Sequence, residues 1–335
     1  MNRGRPLWLT RAATAKMEPM TILAIGLTLV GAVCFAVASV LQHHAVTTTE
    51  HPDETRRAGD VGPHDEPAGR RQLSGRHLLA IVRRRRWLQG AGLAAIGSVV
   101  NGVGLLLAPL RVVQPVGVLA VPLAVLLSAA KARRRPSGGV LIGAALTVGG
   151  VAVFVVASAG SATTHTPSAT ATLTAGLVVM ALVVLLGFAG LARHSRGSLR
   201  CLALASAVAA AYGLLSALIR VAAQAAADTG ILSPLVLGCA AGAIAAFAIG
   251  AWLVQHAYHA GAPEIVIACL TVVDPIVAVL LGAVLLGEGA STPVGAWVLL
   301  GAAALTAAVG VLILAHHHPD AVAARAERDA LTIAA

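Results

Sequence analysis

The sequence predicts an all-α integral membrane protein with about nine transmembrane helices, built as two inverted four-helix repeats (spans 1–4 and 6–9) joined by span 5. Three observations lead to this fold class. The 335 residues are 58% hydrophobic and 11% charged, whereas soluble domains carry about 25% charged residues. Apolar runs long enough to cross a bilayer recur along the chain. One short phrase also occurs in two of these runs, which must cross the membrane in opposite directions.

The apolar runs give the positions of the helices. Each has about the 20 residues that a helix needs to cross the hydrocarbon layer. All four cysteines (Cys34, Cys201, Cys239, Cys269) fall inside such runs without metal-type spacing, so we interpret them as small packing residues. The predicted spans lie near 20–42, 87–106, 110–130, 138–158, 172–192, 201–224, 233–256, 263–287 and 292–315.

The segments around the spans define the organisation of the chain. The loop at 47–86 is rich in Arg, Asp, Glu, Pro and Gly and lacks apolar periodicity until Leu78, which is typical of segments that do not fold alone. We therefore expect an N-terminal segment at 1–19, a first repeat at 20–158 with a mobile cytoplasmic loop at 47–86, a linker with span 5 at 159–200, a second repeat at 201–315, and a cytoplasmic tail at 316–335.

Positive charge predicts the orientation in the plasma membrane. Cytoplasmic loops carry an excess of Lys and Arg, and here loops one, three and five contain Arg83–Arg86, then Lys131 with Arg133–Arg135, then Arg193, Arg196 and Arg200. The odd-numbered loops and the C-terminus are therefore expected in the cytoplasm and the N-terminus outside. The net charge of +10 indicates contact with anionic lipid head groups rather than nucleic acid.

The N-terminus does not fit this orientation by itself. Arg3, Arg5, Arg11 and Lys16 would favour the cytoplasm. Three explanations remain open: the arginines of the first loop dominate, the chain starts at Met17 or Met20, or a signal peptide is cleaved near Ala36–Ala38.

The repeated phrase is RVVQPV at 111–116 and TVVDPI at 271–276. Aligning 105–129 on 265–289 places Ala, Leu, Val, Val and Pro opposite identical residues. The first phrase lies in span 3 and the second in span 8, an odd number of spans later. Two inverted halves of this kind are a building plan of secondary transporters, with the substrate site near the midplane between them.

A polar residue before a proline is the distinctive part of this phrase. Proline cannot donate the helix hydrogen bond, so it frees a carbonyl and bends the helix. In lipid the freed carbonyl must be satisfied by protein, water or a ligand. Gln114-Pro115 and Asp274-Pro275 are therefore candidates for two hinges whose polar groups bind a cation or the polar part of a solute; the alternative is a packing kink.

Asp274 is the strongest candidate for a functional residue. It lies about the middle of span 8 and is the only acidic residue at that depth. An ionised aspartate there costs on the order of 3 kcal/mol on insertion scales. It therefore needs a partner, a bound cation or a proton.

Other polar residues provide weaker signals. Tyr212, Ser216, Arg220 and Gln224 recur at intervals of four in span 6 and form one polar stripe. Arg220 is expected about 12 Å nearer the outer surface than Asp274, either lining the path or extending outward to water.

Glu264 and Glu288 flank span 8 and are expected in water. Three histidine groups follow spans 1, 7 and 9: His43 and His44 after Gln42, then His256 and His259, then His316–His318. No spacing defines a metal site, so we interpret them as interfacial histidines, with a metal-binding patch as the alternative.

Spans 2 and 3 resemble the drug/metabolite transporter superfamily, and within it the NIPA-like magnesium transporters. Those have a Gly-Glu-x-x-Asn motif, then Ala-Pro, then Val-x-Pro-Leu-Gly, and their penultimate span carries Val-Val-Thr-Pro-Ile where TVVDPI stands here. The resemblance implies nine spans and magnesium transport. The residues at the motif positions are Gly97, Asn101, Ala108, Pro109, Val113, Pro115 and Gly117.

Two departures from the family pattern bear on the substrate. The motif glutamate is Ser98 here, and the threonine is Asp274. A family member that exports a small organic metabolite or drug is therefore an equal alternative to a magnesium carrier, and a non-transporting membrane scaffold is the alternative from another class.

No enzyme motif is present and no cofactor is expected. Expected partners are a small solute or cation and membrane lipids, with a homodimer as the alternative to a monomer. The predicted pathway comprises Asp274, Gln114, Asn101, Ser98, Arg220, Tyr212, Gln224 and Gln42, with hinges at Pro115 and Pro275.

Overall fold

The computed structural model describes residues 19–47, 85–131, 133, 135–158, 165–192, 197–261, 263–290 and 292–317. Every regular element in them is an α-helix, and nine candidate spans are long and apolar enough to cross a membrane. The nine-span prediction is confirmed. The N-terminal segment, nearly all of the 47–86 loop and the tail beyond 317 lie outside the described residues.

We number the helices by span, with the third span in two pieces. The helices are α1 Pro19–Thr47, α2 Arg85–Leu107, α3a Leu110–Gly117, α3b Ala120–Lys131, α4 Gly138–Ser158, α5 Ala169–Leu191, α6 Gly197–Thr229, α7 Pro234–Ala260, α8 Pro263–Leu286 and α9 Val294–His316. The connections numbered two, four, six and eight follow α2, α4, α6 and α8, and we call this side of the bundle the even-loop end.

Serine and proline residues begin several of these helices. The side chains of Ser168 and Ser233 accept hydrogen bonds from backbone N–H groups in the first turns of α5 and α7. Such caps satisfy donors that have no partner within the helix. Pro109 and Pro293 directly precede α3a and α9, where their fixed φ suits a helix start.

The third span is broken at Val118 and Leu119. Pro122 explains this break, because it has no N–H to donate to the carbonyl of Val118, four residues earlier, and its ring crowds that turn. The N–H groups of Val118 and Leu119 instead donate to carbonyls three residues earlier. Pro275 lies within a continuous α8. Of the two predicted hinges, only Pro115 is therefore close to an interruption of its helix.

Long helix pairs form the bundle. Helix α1 packs along α2, α6 along α7, α6 against α8, and α4 along α9, while α3 packs on α1 and α5 on α6. The central helix α6 contributes most to the two largest apolar clusters of buried residues.

Glycines allow α4 and α9 to touch through their backbones. A Cβ on Gly150 would lie 2.6 Å from the backbone N of Ala307, and one on Gly310 would lie 2.5 Å from the backbone N of Thr147. Both distances are too short for a real carbon atom. Small residues of this kind are what brings membrane helices into close contact.

We expect Gly150→Ala to lower the free energy of unfolding by about 1–3 kcal/mol, the usual cost of overpacking, because its new methyl group would meet backbone atoms of α9. The neighbouring Gly149 faces open space, so Gly149→Ala provides a matched control that should be neutral or slightly stabilising. Thermal unfolding of the purified variants measures both effects. Equal melting temperatures for the two variants would contradict the α4–α9 contact.

Candidate functional site

Asp274 lies where α8 packs against α6. Its Oδ1 atom is buried and has no hydrogen-bond partner among the described residues. A Cβ on Gly213 of α6 would lie 2.8 Å from the Asp274 backbone carbonyl, so the two helices approach closely here. Tyr212 is the neighbour of Gly213 on α6, and its ring packs against Gly250 and Phe247 of α7. Of the residues predicted for the pathway, Tyr212 is thus one position from this contact, and the acid has an unmet requirement for a proton, a cation or a donor.

Gln114 is also buried, and its Nε2 atom has no partner among the described residues. It does not lie at the same depth as Asp274. Gln114 follows the proline before α3a by five positions (109 to 114), whereas Asp274 follows the proline that begins α8 by eleven (263 to 274). Because the two spans begin at opposite ends of the bundle, Asp274 lies thirteen positions from the even-loop end of α8 (274 to 287), eight more than Gln114 from the same end, which corresponds to about 12 Å of helix. Residues 114 and 274, which the sequence alignment places opposite each other, are therefore not equivalent in depth.

A cavity of about 440 Å³ lies between α3, α4, α8 and α9. Both predicted hinges, Pro115 and Pro275, line it, together with Phe154 and Trp297. Its walls are almost entirely aliphatic and aromatic. Thr271 lines it as well, and Pro275 leaves the Thr271 carbonyl without its usual helix donor. A residue whose carbonyl lacks its helix donor therefore lines an otherwise apolar chamber.

The remaining predicted pathway residues lie elsewhere. Ser98 is exposed, and its hydroxyl donates to the Ala94 carbonyl of its own helix. Asn101 is half-buried where α1 meets α2, next to Gly31. Gln42 packs between the same two helices, against Gly90. Gln224 is half-buried near the end of α6.

Glu288 is not in water, and the prediction that placed it there is wrong. Only 1% of its surface is exposed. Its two carboxylate oxygens accept hydrogen bonds from the backbone N–H groups of Leu110 and Arg111, at 3.0 and 3.2 Å. Glu288 therefore caps the N-terminus of α3a from the far half of the chain, a position that favours negative charge.

The glycines beside Glu288 allow this approach. Gly287 and Gly289 have φ of +65° and +92°, a left-handed conformation that favours glycine. A Cβ on Gly289 would lie 2.6 Å from a guanidinium nitrogen of Arg111, and one on Gly282 would lie 2.9 Å from Glu288 Oε2. The loop can thus turn sharply and bring its carboxylate against the start of α3a.

Two buried arginines surround Glu288. Arg111 is 2% exposed and donates to the hydroxyl of Thr292 and to the carbonyl of Ser158. Arg220 is 6% exposed and donates to the carbonyls of Leu105 and Leu106, at 3.2 and 2.8 Å. Of the two interpretations of Arg220, extension outward to water is wrong, because the guanidinium is held inside the bundle.

Pro109 explains why α2 needs Arg220. In a continuous helix, the carbonyl of Leu105 would accept from the N–H of residue 109, but proline has none. The carbonyl of Leu106 would accept from the N–H of Leu110, which instead donates to Glu288. Arg220 supplies both missing donors. Glu288 and Arg220 therefore complete the backbone hydrogen bonding of the break between α2 and α3a.

The electrostatics of this cluster leave one net positive charge, from two arginines and one glutamate. Burial raises the pKa of the Glu288 carboxyl, while its two backbone hydrogen bonds and the charges of Arg220 and Arg111 act to lower it. The contacts of the cluster therefore compensate only partly for the loss of water around the carboxylate.

Sequence reasoning missed Arg111 and Glu288. Local signals were present: Arg111 follows an Ala-Pro pair at the start of a span, and Glu288 stands between two glycines. Neither signal identifies a partner about 177 residues away.

The described histidines form no metal site. His256 and His317 each bond through Nδ1 to a carbonyl of their own helix. Among the described residues, no group of three or more His, Cys, Asp or Glu side chains could hold a metal ion. The side chains of His43 and His44, and His318, lie outside that description.

No protein-family model matches this chain, and no curated protein or solved structure matches it either.

Proposed function

We propose that this protein is a secondary transporter of the drug/metabolite transporter type, which moves a small organic solute by alternating access. The observation that carries the proposal is the buried, unpartnered oxygen of Asp274 in the middle of a span. A lone carboxylate at this depth is costly and is typical of proton and ion pathways. Asp274 binds the coupling cation or proton in this mechanism, and Tyr212 lines its site.

The packing of the helices supports an arrangement in two inverted halves. An inverted repeat would relate α1 to α6, α2 to α7, α3 to α8 and α4 to α9. Under this relation the packed pair α1–α2 corresponds to the packed pair α6–α7, and α1–α3 corresponds to α6–α8. The α4–α9 and α3–α8 pairs are converted into themselves. This relation is the one that a pseudo-two-fold axis in the membrane plane would give.

Turns after the third and eighth spans support the same arrangement. Each span follows an Ala-Pro pair, with the proline at 109 or 263. Among the residues that the structure describes, the next backbone positions of positive φ are Arg133 and Gly287, with φ of 52° and 65°. Each lies 24 positions after its proline (109 to 133, 263 to 287), as equivalent turns would.

The cavity favours an organic solute over a divalent cation. Magnesium prefers several oxygen ligands with near-octahedral geometry, and the chamber between Pro115 and Pro275 is mostly hydrocarbon. It suits a solute with an apolar body and one or a few polar groups, which the Thr271 carbonyl can meet. Magnesium transport remains the second candidate, favoured by the Ala-Pro and Val-x-Pro motifs of spans 2 and 3.

A thermal-shift screen of the purified protein tests the substrate class. We expect small amphipathic organic compounds to raise the melting temperature, since a ligand at 100 times its Kd stabilises by about 2.7 kcal/mol. Magnesium at millimolar concentration should give no rise. Stabilisation by magnesium alone would reverse this preference and favour the NIPA-like function.

A further inference from the structure

We propose that Glu288 is the releasable latch of an external gate: its loop joins the two halves of the protein at the even-loop end, and breaking its contacts opens that end to water. This inference rests on the proposed two-half transporter. By the distribution of positive charge, the even-loop end faces outside.

The contacts of the cluster connect one half to the other. Glu288 in the second half binds the N–H groups of Leu110 and Arg111 in the first. Arg220 in the second half binds two carbonyls at the end of α2, and Arg111 reaches Thr292 before α9. The halves cannot separate at this end while these bonds hold.

The chemistry of the cluster suits repeated release. Buried opposite charges stabilise weakly in net terms, because the desolvation cost offsets much of their attraction. When the gate opens, water replaces each lost partner of Glu288 and the arginines. The α4–α9 contact differs, since its backbones meet through Gly150 and Gly310 and water cannot substitute for such packing. We therefore assign the pivot to α4–α9 and the latch to Glu288.

An apolar layer lies directly beneath the latch. Val113, one turn after Leu110 on α3a, is 1% exposed and packs in a cluster that includes residues of α8 such as Ala278. Opening of the gate would expose position 113 to water from outside. Cys239 is 2% exposed in the same cluster, but it lies on α7, which packs mainly along α6 of its own half, so it would stay covered.

The test measures the rate at which a membrane-impermeant thiol reagent labels single-cysteine proteins in sealed, correctly oriented vesicles. In one protein, the cysteine introduced by Val113→Cys is the only cysteine. In the other, the native Cys239 is the only cysteine. In Glu288→Gln, which keeps the shape of the side chain but loses its charge, we expect labelling at position 113 to rise about tenfold, equivalent to about 1.4 kcal/mol. Labelling of Cys239 should stay at the wild-type rate.

Asp228→Asn provides the matched control. Asp228 is an exposed acid at the same end, hydrogen-bonded to Thr166, and its substitution should change neither rate. An unchanged rate at position 113 in Glu288→Gln would overturn the latch, and so would an equal rise at position 113 and Cys239, which would indicate general loosening of the fold. The assay uses no substrate, so the latch can fail while the transport proposal, judged by flux, stands.

Discussion

Asp274→Asn is expected to abolish coupled transport while leaving the protein folded and at least as heat-stable as the wild type. Asparagine has nearly the shape of aspartate but cannot carry a proton or pair with a cation. The amide also removes a charge whose presence at this depth costs on the order of 3 kcal/mol. The measurement is flux into proteoliposomes of the compound that most raises the melting temperature, with and without a proton or cation gradient.

Asp228→Asn serves as the control here too, because it removes a carboxylate from the exposed end of α6 and should leave flux unchanged. Downhill exchange of substrate without a gradient separates the steps further. If Asp274→Asn is folded but uncoupled, it retains this exchange. If it is misfolded, the exchange is lost. Wild-type coupled flux in this variant would remove Asp274 from the mechanism, and the absence of flux for any compound in the wild type would favour the scaffold alternative.

The helices could be predicted from the sequence because each span is a local property. Length, hydropathy and flanking arginines place nine spans with ends within a few residues of the observed ones, as for α4 at Gly138–Ser158. The interruption of the third span at Val118 was missed, although Pro122 is visible in the sequence. Prolines within membrane helices are often accommodated without a break, so the residue alone does not predict one.

The site could be predicted only where a single residue was informative without its neighbours. Asp274 is conspicuous because any acid in the middle of a span is expensive. Glu288 was assigned to water because charged loop residues usually are hydrated, and its burial depends on unpaired N–H groups of Leu110 and Arg111, far away in the chain. Such pairings are tertiary, and local pattern does not contain them.

Arg220→Met is expected to cause the largest loss of stability among the substitutions considered. Methionine fills similar volume in α6 but donates no hydrogen bond. The carbonyls of Leu105 and Leu106 would be left without their donor, and Glu288 would lose one of two neighbouring positive charges. Breaking a buried charged network by removing one partner costs about 3–5 kcal/mol. Chemical or thermal unfolding in detergent measures the change.

Arg200→Met is the matched control, because Arg200 lies on the same helix, is half-buried and makes one described bond, to the Gly190 carbonyl at 3.0 Å. Loss of that single bond should cost only about 1 kcal/mol. Arg220→Lys distinguishes charge from geometry, since an ammonium restores the charge but lies on a shorter side chain than the single guanidinium nitrogen that donates to both carbonyls. We expect partial rescue. Equal stability of Arg220→Met and Arg200→Met would mean that the end of α2 is satisfied without Arg220, and the role assigned to this arginine would then be wrong.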